Sequence, residues 1–136
     1  MTNKFCGPFV LSHLAEIPIK DACAILRDIT GKKAVKGVFS KDLIHALEKY
    51  EITASPILEG PRTLFWFSEL VRCSSETFLV NITNHYVVVS GRWIYDNRHP
   101  AGVWSERHPD RRRRVVAAWS VRKKNEFESD KKDIQS

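Results

Sequence analysis

Residues 84–97, Asn84-His85-Tyr86-Val87-Val88-Val89-Ser90-Gly91-Arg92-Trp93-Ile94-Tyr95-Asp96-Asn97, leave the chain little choice of local structure. β-Branched and aromatic side chains fill both halves and Ser-Gly divides them, so the stretch reads as a β-hairpin. Taking Ser90 and Gly91 as the loop residues, Val89 pairs with Arg92, Val87 with Ile94 and His85 with Asp96. Tyr86 then faces Tyr95, and Val88 faces Trp93, on the other side of the pleat. Opposed residues have Cβ atoms roughly 4.5–5.5 Å apart, close enough for a carboxylate to hold an imidazole. A loop at Gly91-Arg92 sets His85 against Arg98 instead, so the register decides what the hairpin brings together.

A positioned His-Asp pair needs a nucleophile, and Cys6, in Cys6-Gly7-Pro8, is the candidate. Pro8 followed by Phe9-Val10-Leu11-Ser12-His13-Leu14 reads as a helix with proline in its first turn, where a missing N–H costs least. Cys6 then stands at a helix N-terminus, whose partial positive charge favours thiolate over a thiol with an ordinary pKa of about 8.5. An adjacent imidazolium favours it further. Gly7 leaves room for a substrate carbonyl to approach the backbone, and the Cys6 N–H is a candidate oxyanion donor. Each residue alone has a plainer reading: a small buried hydrophobe for Cys6, a strand-end histidine for His85, a turn residue for Asp96. Jointly they form a nucleophile, a base and an orienting group.

Elsewhere the periodicity switches from helical to extended. Pro18 opens a second helix with Ile19, Ala22, Cys23, Leu26 and Ile29 on one face and Gly31 as its stop. A basic extended loop, residues 32–38, leads to a third helix with Ser40 as candidate N-cap, Asp42 in the first turn, and Leu43, Leu47 and Tyr50 aligned. A short strand is expected over Ile52–Ile57, a helix over Thr63–Arg72, and a strand over Thr77–Ile82. After the hairpin come a loop over Arg98–His108 and a last strand over Val115–Val121. Helices first and strands later is the α+β order, with N-terminal helices packed on one face of a mostly antiparallel sheet. At 136 residues, 43% hydrophobic and 28% charged, the chain suits one globular domain, expected over 1–121. A charged, disordered tail is expected over 122–136.

This arrangement resembles the papain-like cysteine peptidases, and most the branch of double-glycine-leader (bacteriocin-processing) peptidases and their bacteriophage-encoded relatives. The similarity rests on Cys6-Gly7-Pro8 with its helix, Gly37-Val38-Phe39-Ser40 ahead of helix Asp42–Tyr50, and His85-Tyr86-Val87-Val88-Val89-Ser90-Gly91 with Asp96 after it. It implies an α+β papain-like fold and peptide or amide hydrolysis through a thioester at Cys6. His85 would be general base and acid, and Asp96 the orienting group. No metal or cofactor is required by such a mechanism. Asn97 is the alternative third member, since papain itself uses Asn, although strand alternation turns it to the opposite face. The Gln that these peptidases carry ahead of the nucleophile has no counterpart in Met1–Phe5, and Asn3 is the candidate substitute in the oxyanion hole. Losing one such donor typically costs 10²–10³-fold in rate.

The formal charge of +6 is concentrated at the C-terminal end, where residues 107–136 hold ten Lys/Arg against five Asp/Glu. Arg111-Arg112-Arg113-Arg114 is the densest part and reads first as a solvated edge. It also supports the rival function: a catalytically silent papain-like module, encoded by a phage or mobile element, that binds a host protein or nucleic acid through this basic surface. Three cysteines argue against a disulfide framework or a zinc cluster. Cys23 is expected in the core and Cys73 at a helix end. His13, His45, His99 and His108 are expected at the surface, and the four tryptophans in the core or lining a groove. No apolar run reaches the roughly 20 residues of a membrane span, and no signal-peptide core precedes Cys6, so the expected setting is cytoplasmic, the host's if phage-encoded, with no membrane partner.

Overall fold

The computed structural model describes residues 6–31, 38, 40–57, 62–83 and 85–123. In chain order these form α1 (Cys6–Ala15), α2 (Ile19–Thr30), α3 (Ser40–Glu48), β1 (Ile52–Pro56), α4 (Leu64–Val71), β2 (Thr77–Asn81), β3 (Tyr86–Ser90), β4 (Trp93–Asp96), β5 (His99–Trp104), a 3-10 turn (Ser105–Arg107) and β6 (Ala117–Lys123). The six strands make one sheet in the order β1-β6-β2-β3-β4-β5, with each adjacent pair antiparallel. The architecture is α+β.

Strand alternation sorts the side chains into two cores. Leu79, Tyr86, Val88 and Val121 point to the side covered by α1, α2 and α3. Phe78, Val80, Val87, Val89, Ile94 and Ala118 point the other way, against Leu64 and Phe67 of α4. Helices therefore cover both faces, not the single face expected, and the central strands are buried on both sides, which is why Val87-Val88-Val89 is an unbroken apolar run. Helix α1 lies across β3 and β4 and is buried nearly all round, as its uniformly apolar sequence demands.

The β3–β4 hairpin forms, but in the other register. Ser90 pairs with Trp93, Val89 with Ile94 and Val88 with Tyr95, so Gly91 and Arg92 are the loop. The reason is conformational: a two-residue hairpin turn needs positive φ at its first central position, and Gly91, at φ 60°, supplies it. Moving the loop by one residue moves the pairing by two, so every side chain keeps its face while its partner changes.

An expected loop and the start of the expected tail are strand instead. Residues 99–104 form edge strand β5, where Pro100 is tolerated because no neighbour needs its N–H. Strand β6 runs to Lys123, pairing Arg122 with Thr53 and Lys123 with Ile52, so the tail expected from residue 122 cannot start there. Residues 124–136 and Asn3 lie outside the described residues. Cys23 is only half-buried and outside the core that Ala22 and Leu26 enter. None of the tryptophans is buried; Trp66 and Trp93 are exposed, and Trp93 packs its ring on Trp104 at 4.7 Å.

The arginine tract is held through its backbone. The Leu64 and Phe65 amides of α4 donate to the carbonyls of Arg113 and Arg111, and the Trp66 amide donates to the Thr63 hydroxyl. Amides at a helix start have no partner within the helix. Here the tract's backbone, with the Thr63 N-cap, supplies them. The side chains of Arg112, Arg113 and Arg114 remain exposed.

Candidate functional site

Cys6 is the first residue of α1 and is 4% exposed. The close seat of that helix end depends on Gly7: a Cβ there would fall 2.8 Å from Cγ2 of Val38. The glycine of Cys6-Gly7-Pro8 thus serves packing. The Val38 carbonyl in turn accepts from the Tyr86 hydroxyl at 2.7 Å, and Ser40 Oγ lies 3.0 Å from the same phenol oxygen. Val38 therefore ties the start of α1 to the start of β3, where His85 immediately precedes Tyr86.

His85 is 3% exposed and hydrogen-bonded to Asp96, and Cys6 lies near enough to perturb the ring's charge. Its Nε2 is 3.1 Å from Asp96 Oδ2. In the observed register His85 falls opposite position 98, not 96, so the expected direct pairing is wrong. The contact survives because Asp96 is the diagonal neighbour two residues away on the same face, within reach of a long side chain. Burial pushes the His85 pKa down, but the hydrogen bonds and charges of Asp96 and Cys6 outweigh it and raise the value to about 9. The ring is therefore an imidazolium at neutral pH, beside a sulfur at a helix N-terminus.

Asp96 is 1% exposed and heavily bonded. Its Oδ1 accepts the Arg98 and His99 amides, at 3.0 and 2.8 Å, and lies 2.9 Å from His99 Nδ1. Its Oδ2 meets His85 and also His108 Nε2, at 2.9 Å. One oxygen closes the β4–β5 turn, as expected of a turn aspartate. The other faces two imidazoles. Burial works against the charged carboxylate, yet the bonds from His108, His85 and His99 hold its pKa far below the ordinary range. Asn97, the alternative third member, occupies the turn between Asp96 and His99, and Asp96 is the residue that reaches His85.

His99 and His108, expected at the surface, are thus part of the site; His108 is fully buried. His13 is also drawn inward, between the rings of Phe9 and Tyr95. Only His45 is exposed as expected. No spacing in the sequence flags His108, because its approach to Asp96 depends on β5 returning along β4, in a stretch whose proline and glycine suggest a loop.

Asp96, His99 and His108 place potential ligand atoms close enough to surround a cation. The hydrogen bonds argue for a different use. The Asp110 amide donates to His108 Nδ1 at 3.0 Å, so the ring proton sits on Nε2, pointing at Asp96. Ligation through Nε2 would move that proton to Nδ1, against an N–H already aimed at it.

Comparison of the chain with family models, curated proteins and solved structures finds no match. Among the described residues, no helix is long and apolar enough to cross a membrane.

Proposed function

We propose that the protein is a papain-like thiol hydrolase cleaving a peptide or amide bond through a Cys6 thioester. The observation that carries this reading is the buried grouping of Cys6, His85 and Asp96, with the sulfur at a helix N-terminus and the imidazole hydrogen-bonded to the carboxylate and near enough to Cys6 for its charge to be perturbed. The sulfur attacks the carbonyl carbon, His85 passes its proton to the departing amine, and the C–N bond is exchanged for C–S. Water, deprotonated by His85, then displaces the thiolate and releases the acid. The helix-start backbone and Asn3 are the proposed oxyanion donors.

Exposure makes the test sharp. Cys73 is exposed, Cys23 half-buried and Cys6 buried, so unactivated thiols would react with iodoacetamide in that order. Intact-mass and peptide mapping should instead find Cys6 alkylated first near neutral pH, with the preference lost in His85→Ala. Labelling that follows exposure, with Cys6 reacting only on unfolding, would sink the reading.

A second reading, a catalytically silent module of phage or mobile-element origin, draws support from the exposed Arg112, Arg113 and Arg114 on a loop fixed to α4. Its partner would be an acidic host protein or nucleic acid. Cys6→Ser would then keep full biological effect, while charge reversal at Arg112 and Arg114 would abolish it and rising salt would weaken binding.

A further inference from the structure

The nucleophile, base and orienting carboxylate leave one buried group unexplained. His108 comes from the segment after β5, is fully buried, and places Nε2 nearer to Asp96 Oδ2 (2.9 Å) than His85 does (3.1 Å). Its proton is on Nε2 because the Asp110 amide occupies Nδ1. The ring's own carrier is fixed as well: the His108 carbonyl accepts from the Arg111 amide and guanidinium, and the Arg111 carbonyl accepts from α4. A carboxylate oxygen has two lone pairs, and here one goes to each imidazole.

Resting on the triad reading above, we propose that His108 is a positioning residue, which holds Oδ2 of Asp96 in the orientation from which His85 is gripped. Rotation of the carboxylate about its Cβ–Cγ bond would break the bond to His108, the bond to His85 and the turn contacts of Oδ1 together. The hydrogen bonds of the His108 ring run to Asp96 and from the Asp110 amide, so its effect reaches the chemistry through Asp96. A purely structural histidine would pin residues 105–116 to the sheet and leave the carboxylate's behaviour unchanged.

The two roles separate in the full-length protein carrying His108→Leu or His108→Gln, since Gln keeps an N–H near the Nε2 position. Three readouts are followed: the carbon-13 shift of the Asp96 carboxyl on acid titration, the pH profile of Cys6 alkylation, and urea stability. We expect Leu to raise the Asp96 midpoint by at least one pH unit and to slow Cys6 alkylation at pH 6 about tenfold, with its acid limb moved upward. Gln should recover most of both. Unchanged Asp96 titration and an unchanged acid limb in a merely less stable Leu variant would overturn the proposal. Should Leu fail to fold, nitrogen-15 shifts of the wild-type ring and the Gln variant decide: a proton on Nδ1 instead of Nε2 overturns it, and the expected Nε2–H with a Gln profile close to wild type upholds it. Slow, unselective alkylation of wild-type Cys6 would defeat the triad reading alone, because the Asp96 titration still reports whether His108 governs the carboxylate.

Discussion

The two faces of the sheet contribute to the site in different ways. The face under α1, α2 and α3 carries the proposed nucleophile: Cys6 stands on a helix buried nearly all round and seated through Gly7 on Val38. The segment bonded to α4, which covers the opposite face, delivers no reactive atom but brings His108 to Asp96. In the proposed mechanism one side of the molecule supplies the thiol and the other steadies the carboxylate. The difference teaches that a candidate nucleophile stands out in a local motif, whereas the contacts gathered on Asp96 depend on long-range packing.

Asp96 is where the two contributions meet, so its loss should have the largest effect. Asp96→Ala strands several buried donors at once and should cost roughly 3–5 kcal/mol, the range for removing one partner of a buried charge cluster. Urea unfolding measures this; a cost below about 1 kcal/mol would mean the donors find other partners. Core truncations should then separate the faces. Phe67→Ala under α4 is expected to cost about 3–5 kcal/mol and Leu26→Ala under α2 about 2–5 kcal/mol. Only the first should speed hydrogen exchange at the Leu64 and Phe65 amides, which the arginine loop binds. Equal exchange in both variants would erase the distinction.

A pH series sharpens the same contrast. His85 has a raised pKa in the folded chain, so its stabilisation is complete below pH 6.5 and is lost as the pH climbs toward about 9. Asp96 is depressed, so its contribution is present above pH 3.8 and is lost as the pH falls below that value. Between pH 6.5 and 9 the fold should lose on the order of 1–3 kcal/mol, and His85→Gln should flatten that slope. Gly7→Ala should cost about 1–3 kcal/mol by pressing a methyl group into Val38, and should lower Cys6 alkylation through misplacement of the helix start. The smallest effect belongs to Arg112→Ala. Its side chain is exposed, and stability should move by no more than about 0.5 kcal/mol.

How far the sequence reveals these features depends on the range of the forces involved. Helices α2 and α4 were legible because their signals are local: Pro18 before α2, Gly31 in a left-handed conformation after it, and Thr63 capping Trp66. The faces of β3 and β4 were legible from period-two alternation, but their register was not, because Ser90-Gly91 and Gly91-Arg92 differ only in where glycine's positive φ falls. Cys6, His85 and Asp96 could be picked out because each stands in a recognisable local setting. His108 could not: it is anchored by Asp110 and Arg111 beside it, and by bonds to Asp96 and α4 that cross the fold. Pro100 and Gly102 hid β5 by breaking the strand pattern, although an edge strand tolerates both.

The four-arginine tract engages α4 through carbonyl oxygens, and carbonyl oxygens are the same in every amino acid. Composition at positions 111 and 113 is therefore open to wide exchange as far as this helix start is concerned, while the number of residues between His108 and Leu64's acceptor is fixed. Removing a single arginine would force a choice between the bonds to α4 and the bond to Asp96, so this loop should tolerate rewriting far better than shortening.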